Sequence, residues 1–275
     1  MKKLMFATAA IAAGVAMADI TSANVVGYQS LNVINGFNMI SLSFQPVDGT
    51  EEIAIQDLIQ DKSQLVAGNA AATSDRIQVW DGTKFTEYFY RAKKTTNPKF
   101  TIGPCWVKTT ASGVKTTETI PHGAGIWFAR PASAPEQAQI TISGAVNALP
   151  FTHEVNPGFN MMASAFPVDV PLNTMQVGNV TQTCPIDWVA CGAVAGNAAA
   201  TSDRIQVWDG SAFTEYFYRA KKTTNPKFTI GPCWVKTTES GVKTPYAIPA
   251  GKGFWYARPD GKAAGTLIQT SPIAQ

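Results

Sequence analysis

The strongest chemical signal in this sequence is a basic, aromatic stretch that occurs twice. It reads YFYRAKKTTNPK at Tyr88–Lys99 and again at Tyr216–Lys227. From Asp75 to Lys115, eight cations (Arg76, Lys84, Arg91, Lys93, Lys94, Lys99, Lys108, Lys115) stand against Asp75, Asp81 and Glu87, a local charge of +5. Clustered cations attract anionic polymers, and exposed aromatic faces stack on sugar rings or bases. The expected ligand-binding residues are Tyr88, Tyr90, Arg91, Lys93, Lys94 and Lys99. Their copies are Tyr216, Tyr218, Arg219, Lys221, Lys222 and Lys227. Trp80 would join Tyr88 and Tyr90 on one face of the hairpin, making a stacking platform. The competing reading is a solvated lysine loop beside a packed β core.

Other chemistries find less support. Acids recur at Asp75, Asp81 and Glu87, and at Asp203, Asp209 and Glu215. A glycosidase needs two carboxylates roughly 5–10 Å apart, but Asp81 is explained by its Asp-Gly turn and Glu87 by a cross-strand partner such as Arg76 or Lys84. His122 lies in PHGAG, which faintly resembles an oxyanion-hole loop, yet Ala250 holds its place in the second copy and no G-x-S-x-G turn occurs. The other histidine is His153. No zinc, EF-hand, dinucleotide or Walker spacing is present, so no metal and no cofactor are expected. Of four cysteines, Cys184 and Cys191 lie close together and form the simplest disulfide, which leaves Cys105 and Cys233, at equivalent positions, as buried thiols or a link between units; the rival pairs Cys233 with Cys184 or Cys191 and leaves Cys105 odd.

The chain that carries these residues has 275 residues, 45% hydrophobic and 15% charged. That is too apolar for disorder and too weakly charged for a long coiled coil. Lys2 and Lys3, an apolar run to Val15, and Ala16-Met17-Ala18 read as a secretory signal peptide over residues 1–18. Export to the periplasm, the cell surface or beyond is the expectation. Removing Lys2 and Lys3 from 22 basic residues leaves 20 against 19 acids, so the net charge drops from +3 to +1. Nucleic acid is therefore a poor fit. No later apolar run reaches the ~20 residues of a membrane span.

An internal duplication organises the rest. VAGNAAATSDRIQVWDG occurs at Val66–Gly82 and Val194–Gly210, and the match continues through IPHGAGIWFARP and IPAGKGFWYARP, at an offset of 128 (194 less 66). Upstream, GFNMISLSFQPVD at Gly36 matches GFNMMASAFPVD at Gly158, an offset of 122 (158 less 36). The extra residues of the second copy fall around CPIDWVAC, Cys184–Cys191. The units are 19–147 and 148–275. RIQVW, an Asp-Gly turn and FTEYFYR predict a β-hairpin. Other short aromatic or β-branched runs bounded by Gly and Pro predict an all-β fold of two tandem sandwich or barrel-like domains. Thr50–Gln60 is the best helix candidate.

The opening ANVVGYQSLNVINGFNMISLSF, Ala23–Phe44, with its later DRIQVWDG and G-x-G-x-W-x-A-R-P segments, resembles a class of uncharacterised exported bacterial β-repeat proteins. The resemblance implies export and a β fold, and it carries no catalytic residue. The expected function is a non-catalytic binding module at the cell surface or outside the cell, for an anionic polysaccharide or surface polymer. Paired weak sites gain avidity if both engage one polymer. A self-associating structural envelope protein is one alternative, and a carbohydrate-active enzyme is another.

Overall fold

A computed structural model describes residues 25–97, 100–225 and 228–273. Residues 1–18, expected to be a signal peptide, and Lys99 and Lys227 lie outside the described residues. The first copy contains β1 (Val25–Ile34), β2 (Gly36–Ser41), β3 (Glu52–Ala54), β4 (Arg76–Trp80), β5 (Phe85–Arg91), β6 (Lys94–Asn97), β7 (Phe100–Ile102), β8 (Cys105–Lys108), β9 (Thr119–Pro121), β10 (Gly125–Arg130) and β11 (Gln137–Val146). The second contains β12 (Phe151–Val155), β13 (Gly158–Ala163), β14 (Val170–Pro171), β15 (Met175–Val177), β16 (Val180–Gln182), β17 (Arg204–Trp208), β18 (Phe213–Arg219), β19 (Lys222–Asn225), β20 (Phe228–Ile230), β21 (Cys233–Lys236), β22 (Ala247–Ile248), β23 (Gly253–Arg258) and β24 (Gly265–Gln269). The fold is all-β.

Each copy is built on a five-stranded antiparallel sheet, in the order β2-β10-β4-β5-β8 or β13-β23-β17-β18-β21. The β4–β5 hairpin has the expected turn. Asp81 accepts hydrogen bonds from the Thr83 and Lys84 backbone N–H groups, both at 2.9 Å, and Gly82 supplies φ +98°. Alternation along the sheet sends Ile77, Tyr88 and Tyr90 inward with Ile126 and Phe128. The two-stranded ribbons β1–β11 and β3–β9 close over this face with Leu31, Val33, Ile53, Ile120, Ile140 and Ile142. The second copy repeats the scheme with β12–β24 and β14–β22. The first core also takes in Ala165 and Phe166 from beyond residue 147, so the units share apolar packing.

The helix expected over Thr50–Gln60 does not form. The segment is β3 followed by a single 3-10 turn, Ile55–Asp57. Ile53 pairs with Ile120 in the ribbon, and Ile55, Leu58 and Ile59 are buried. Gln56 explains the early stop. Its side chain bonds both the carbonyl and the N–H of Trp106, at 2.7 and 3.2 Å. Asn173 does the same for Trp234, at 3.0 and 2.9 Å.

The outward faces of the two sheets meet, and the contacts are reciprocal. The Trp80 indole N–H donates to the Phe159 carbonyl at 3.0 Å, and Trp208 donates to Phe37 at 2.9 Å. Trp255 packs edge-on against Trp80 at 5.5 Å, and Trp127 against Trp208 at 5.8 Å. The Ser41 N–H donates to Gly251 and the Ala163 N–H to Gly123, both at 3.0 Å. These contacts are mirrored pairwise, so the chain is an intramolecular pseudo-dimer with a near-isologous junction, from which the His122–Ala165 and Ser43–Ser164 hydrogen bonds depart.

Glycine sets how closely the copies approach. A Cβ at Gly125 would lie 2.5 Å from the Met162 carbonyl oxygen, and one at Gly253 would lie 2.9 Å from that of Ile40. Gly125→Ala is expected to lower unfolding free energy by about 2 kcal/mol, because backbone must move to admit the methyl. Gly113→Ala, with nothing within 4 Å of the added atom, is the control. Urea titration of both variants checks this, and equal midpoints would contradict it.

Candidate binding surface

The structure divides the expected site residues into two groups. Tyr88 and Tyr90 are 2% and 4% exposed, and Tyr216 and Tyr218 are likewise buried. They form no stacking platform. β5 lies between β4 and β8, so its inward residues are core: Tyr90 packs on Trp106 at 5.3 Å, and the Tyr88 hydroxyl donates to Glu118. Burial pushes the Tyr218 phenol up to about 12. Trp80 stands opposite Phe85 on the other face of the hairpin and belongs to the junction. Arg91 and Arg219 are buried at the ends of their strands, paired with Cys105 and Cys233.

Lys93, Lys94, Lys221 and Lys222 are exposed. They open the β-ribbons β6–β7 and β19–β20, which leave the sheets between β5 and β8 and between β18 and β21. The first ribbon is closed by a Thr95–Thr101 hydroxyl contact at 2.9 Å. The connection Ala92–Gly103 reads AKKTTNPKFTIG, and Ala220–Gly231 is identical, so neither contains a carboxylate. Among the described residues, the five ion pairs leave these four lysines out. The surface that remains from the expected site is thus a pair of lysine ribbons, without their aromatic neighbours.

The expected Cys184–Cys191 disulfide is not formed, and Cys105 and Cys233 are free and buried. Packing holds the extra segment instead. The Trp188 indole donates to the Leu172 carbonyl at 2.9 Å and packs on Trp234 at 5.1 Å. Each thiol has its own neighbour. Cys184 Sγ accepts from Trp188 at 3.2 Å, and Cys191 Sγ accepts from the Ile268 N–H at 3.2 Å. Burial raises the Cys184 thiol to about 11.

The carboxylates are tied into structural pairs. Glu87 meets Arg76 at 3.3 Å and Gln78 at 2.8 Å, as the cross-strand reading expected. Sequence reasoning missed the buried pair Asp75–Arg130 at 3.5 Å and its copy Asp203–Arg258 at 3.0 Å. Their signal was available, since both partners recur at the repeat offset. The pairs differ in quality. Tyr256 donates its hydroxyl to Asp203, whereas Phe128 holds that place beside Asp75. Arg258 Nε also donates to Asp203 Oδ1 at 3.3 Å, whereas Asp75 Oδ1 and Arg130 Nε, 3.5 Å apart, have no hydrogen-bond partner, and burial foremost raises Asp75 to about 6.

Both histidines line one cleft at the junction, of about 430 Å³, beside Trp80 and Phe159. Its pseudo-equivalent, of about 330 Å³, has Ala250 for His122 and Leu31 for His153. His122 bonds the Ala165 carbonyl through Nε2 at 2.7 Å. Burial lowers both imidazoles, His153 to about 4. Among the described residues, no cluster of His, Cys, Asp or Glu is placed to hold a metal ion, and no helix is long and apolar enough to cross a membrane.

Two predictions use the second copy as an internal control. Phe128→Tyr gives Asp75 the donor that Asp203 already has, and is expected to add about 1 kcal/mol of stability where Asp75 is ionised. A denaturant titration near pH 8 checks it, and a loss of stability would contradict it. His153 is neutral in the fold, but an unfolded imidazole titrates near 6.5. The unfolded chain therefore binds the extra proton, and stability falls as pH drops from 6.5 toward 4, by about 3 kcal/mol in full. His153→Leu, which copies Leu31, should flatten this loss, and an unchanged pH slope would contradict it. No family model, curated protein or solved structure matches the chain.

Proposed function

We propose that the chain is an exported, non-catalytic binding module for an anionic polysaccharide or similar surface polymer. The observation that carries this reading is the exposed pair Lys93–Lys94 and its copy Lys221–Lys222, on identical ribbons without a carboxylate. Lysines on short ribbons are solvated point charges, suited to repeated carboxylates or sulfates rather than to one shaped small molecule. With a mature charge near +1, the attraction is local to the ribbons rather than general to the surface. The junction also consumes the like faces of the two copies, which favours binding over stacking into an open array.

Binding of the chain to carboxylated, sulfated and neutral polysaccharides tests the reading. Anionic members should bind at low salt and weaken several-fold at moderate salt, because exposed charges are screened beyond about 10 Å at 0.1 M. The variant with Lys93, Lys94, Lys221 and Lys222 all changed to Ala should lose at least ten-fold in affinity. Binding that ignores both salt and these substitutions would contradict the assignment.

A further inference from the structure

Four of the six arginines meet a carboxylate: Arg76 with Glu87, Arg130 with Asp75, Arg204 with Glu215 and Arg258 with Asp203. Arg91 and Arg219 form no ion pair among the described residues. They are nonetheless buried, at 7% and 9% exposure, and the Nε of each has no hydrogen-bond partner. A guanidinium does not shed its charge at any ordinary pH. A charge withdrawn from water without a counter-ion is strongly unfavourable, and here it recurs in both copies.

The surroundings add further cations. Alternation along β5 puts Arg91 on the same face as Phe89, away from Tyr88 and Tyr90, and directly opposite Cys105 of β8. Val107, two residues on, shares that face, and an antiparallel bridge sets Lys115 beside it. Lys115, Arg91 and Lys62 all favour the Cys105 thiolate, although burial outweighs them. The second copy repeats this with the Val235–Lys243 bridge, and the charged groups acting on Cys233 are Lys243 and Arg219. Lys243 spends one donor on the Thr174 carbonyl, at 2.7 Å, and keeps two. Ile102 packs with Cys105 and pairs with Lys94, as Ile230 packs with Cys233 and pairs with Lys222. Each arginine thus lies at the root of its lysine ribbon.

We propose that Arg91 with Lys115, and Arg219 with Lys243, each form a seat for one oxyanion, a carboxylate or sulfate substituent of the bound polysaccharide. The proposal rests on the binding reading above and adds to it a shaped contact. Ribbon lysines attract any anion as point charges, whereas the planar fork of a guanidinium matches paired oxygens. An oxyanion in the seat is the counter-ion that each arginine lacks. Such a recessed pair is screened by salt far less than the exposed lysines are.

The test begins with NMR of the full chain, titrated with sodium sulfate against sodium chloride at constant ionic strength. The side-chain Nε–H resonances of Arg91 and Arg219 should shift and saturate, while that of Arg258, already held by Asp203, stays. Lys115→Ala with Lys243→Ala should weaken this response several-fold. Arg91→Lys with Arg219→Lys keeps the charge and removes the fork. At about 0.1 M salt it should bind a sulfated or carboxylated oligosaccharide at least ten-fold more weakly than wild type. No shift of the two arginines would overturn the seat, whatever the variants do. A shift with unchanged oligosaccharide affinity in the Arg→Lys variant would mean an adventitious ion only, and would overturn the seat while the binding reading stands. A saturable shift with no binding of any polysaccharide by wild type would overturn the binding reading and, with it, the assignment of the oxyanion to a polymer.

Discussion

Two indole N–H groups set the geometry on which the rest of this molecule depends. Trp80 and Trp208 each end a strand at a partly buried position and need an acceptor. Each finds it on the other copy, at Phe159 and Phe37. Rotating one copy against the other would strand both donors at once, and would separate the Trp80–Trp255 and Trp127–Trp208 contacts. Gly125 and Gly253 let the backbones come close enough for this to happen. The result is a fixed relation between the two sheets.

The duplication provides matched environments that differ by single residues. Asp75 and Asp203 both face an arginine in the interior, but only Asp203 has a tyrosine donor. The clefts at the two ends of the junction share a wall plan, with Trp80 and Phe159 in one and Trp208 and Phe37 in the other. One is lined by both imidazoles and the other by Leu31 and Ala250. The wall plan is kept while volume and polarity diverge. The ends of the junction therefore respond differently to acid, although the contacts that hold them are alike.

Much of the fold was legible in the sequence, because it follows from local chemistry. The Asp81-Gly82 turn, the alternation on both sides of it and the Arg76–Glu87 pair depend only on near neighbours. The sense of burial did not follow. β5 carries Tyr88 and Tyr90 on one face and Phe85 and Phe89 on the other, so period-two patterning cannot say which face meets the core. The choice is made by the ribbons β1–β11 and β3–β9, from remote parts of the chain. Thr50–Gln60 was ambiguous for a related reason: Ile53, Ile55, Leu58 and Ile59 fit a helical stripe as well as an alternating strand and turn. For Cys184 and Cys191, closeness in sequence said nothing of side-chain direction, which Trp188 and the Ile268 N–H decide. The lysines were visible because charge without a nearby acid can be counted.

Cutting the chain between the copies tests the central claim most directly. The connection between Val146 and Phe151, residues 147–150, includes the exposed Leu149 and lies outside the paired strands on either side. A specific protease site placed at Ala148–Pro150 would separate the units covalently without touching the junction tryptophans or glycines. The account predicts that the two fragments migrate together on sizing at micromolar concentration and part only under denaturant. Fragments that separate under native conditions would show that the linker, and not the reciprocal junction, holds the copies in place.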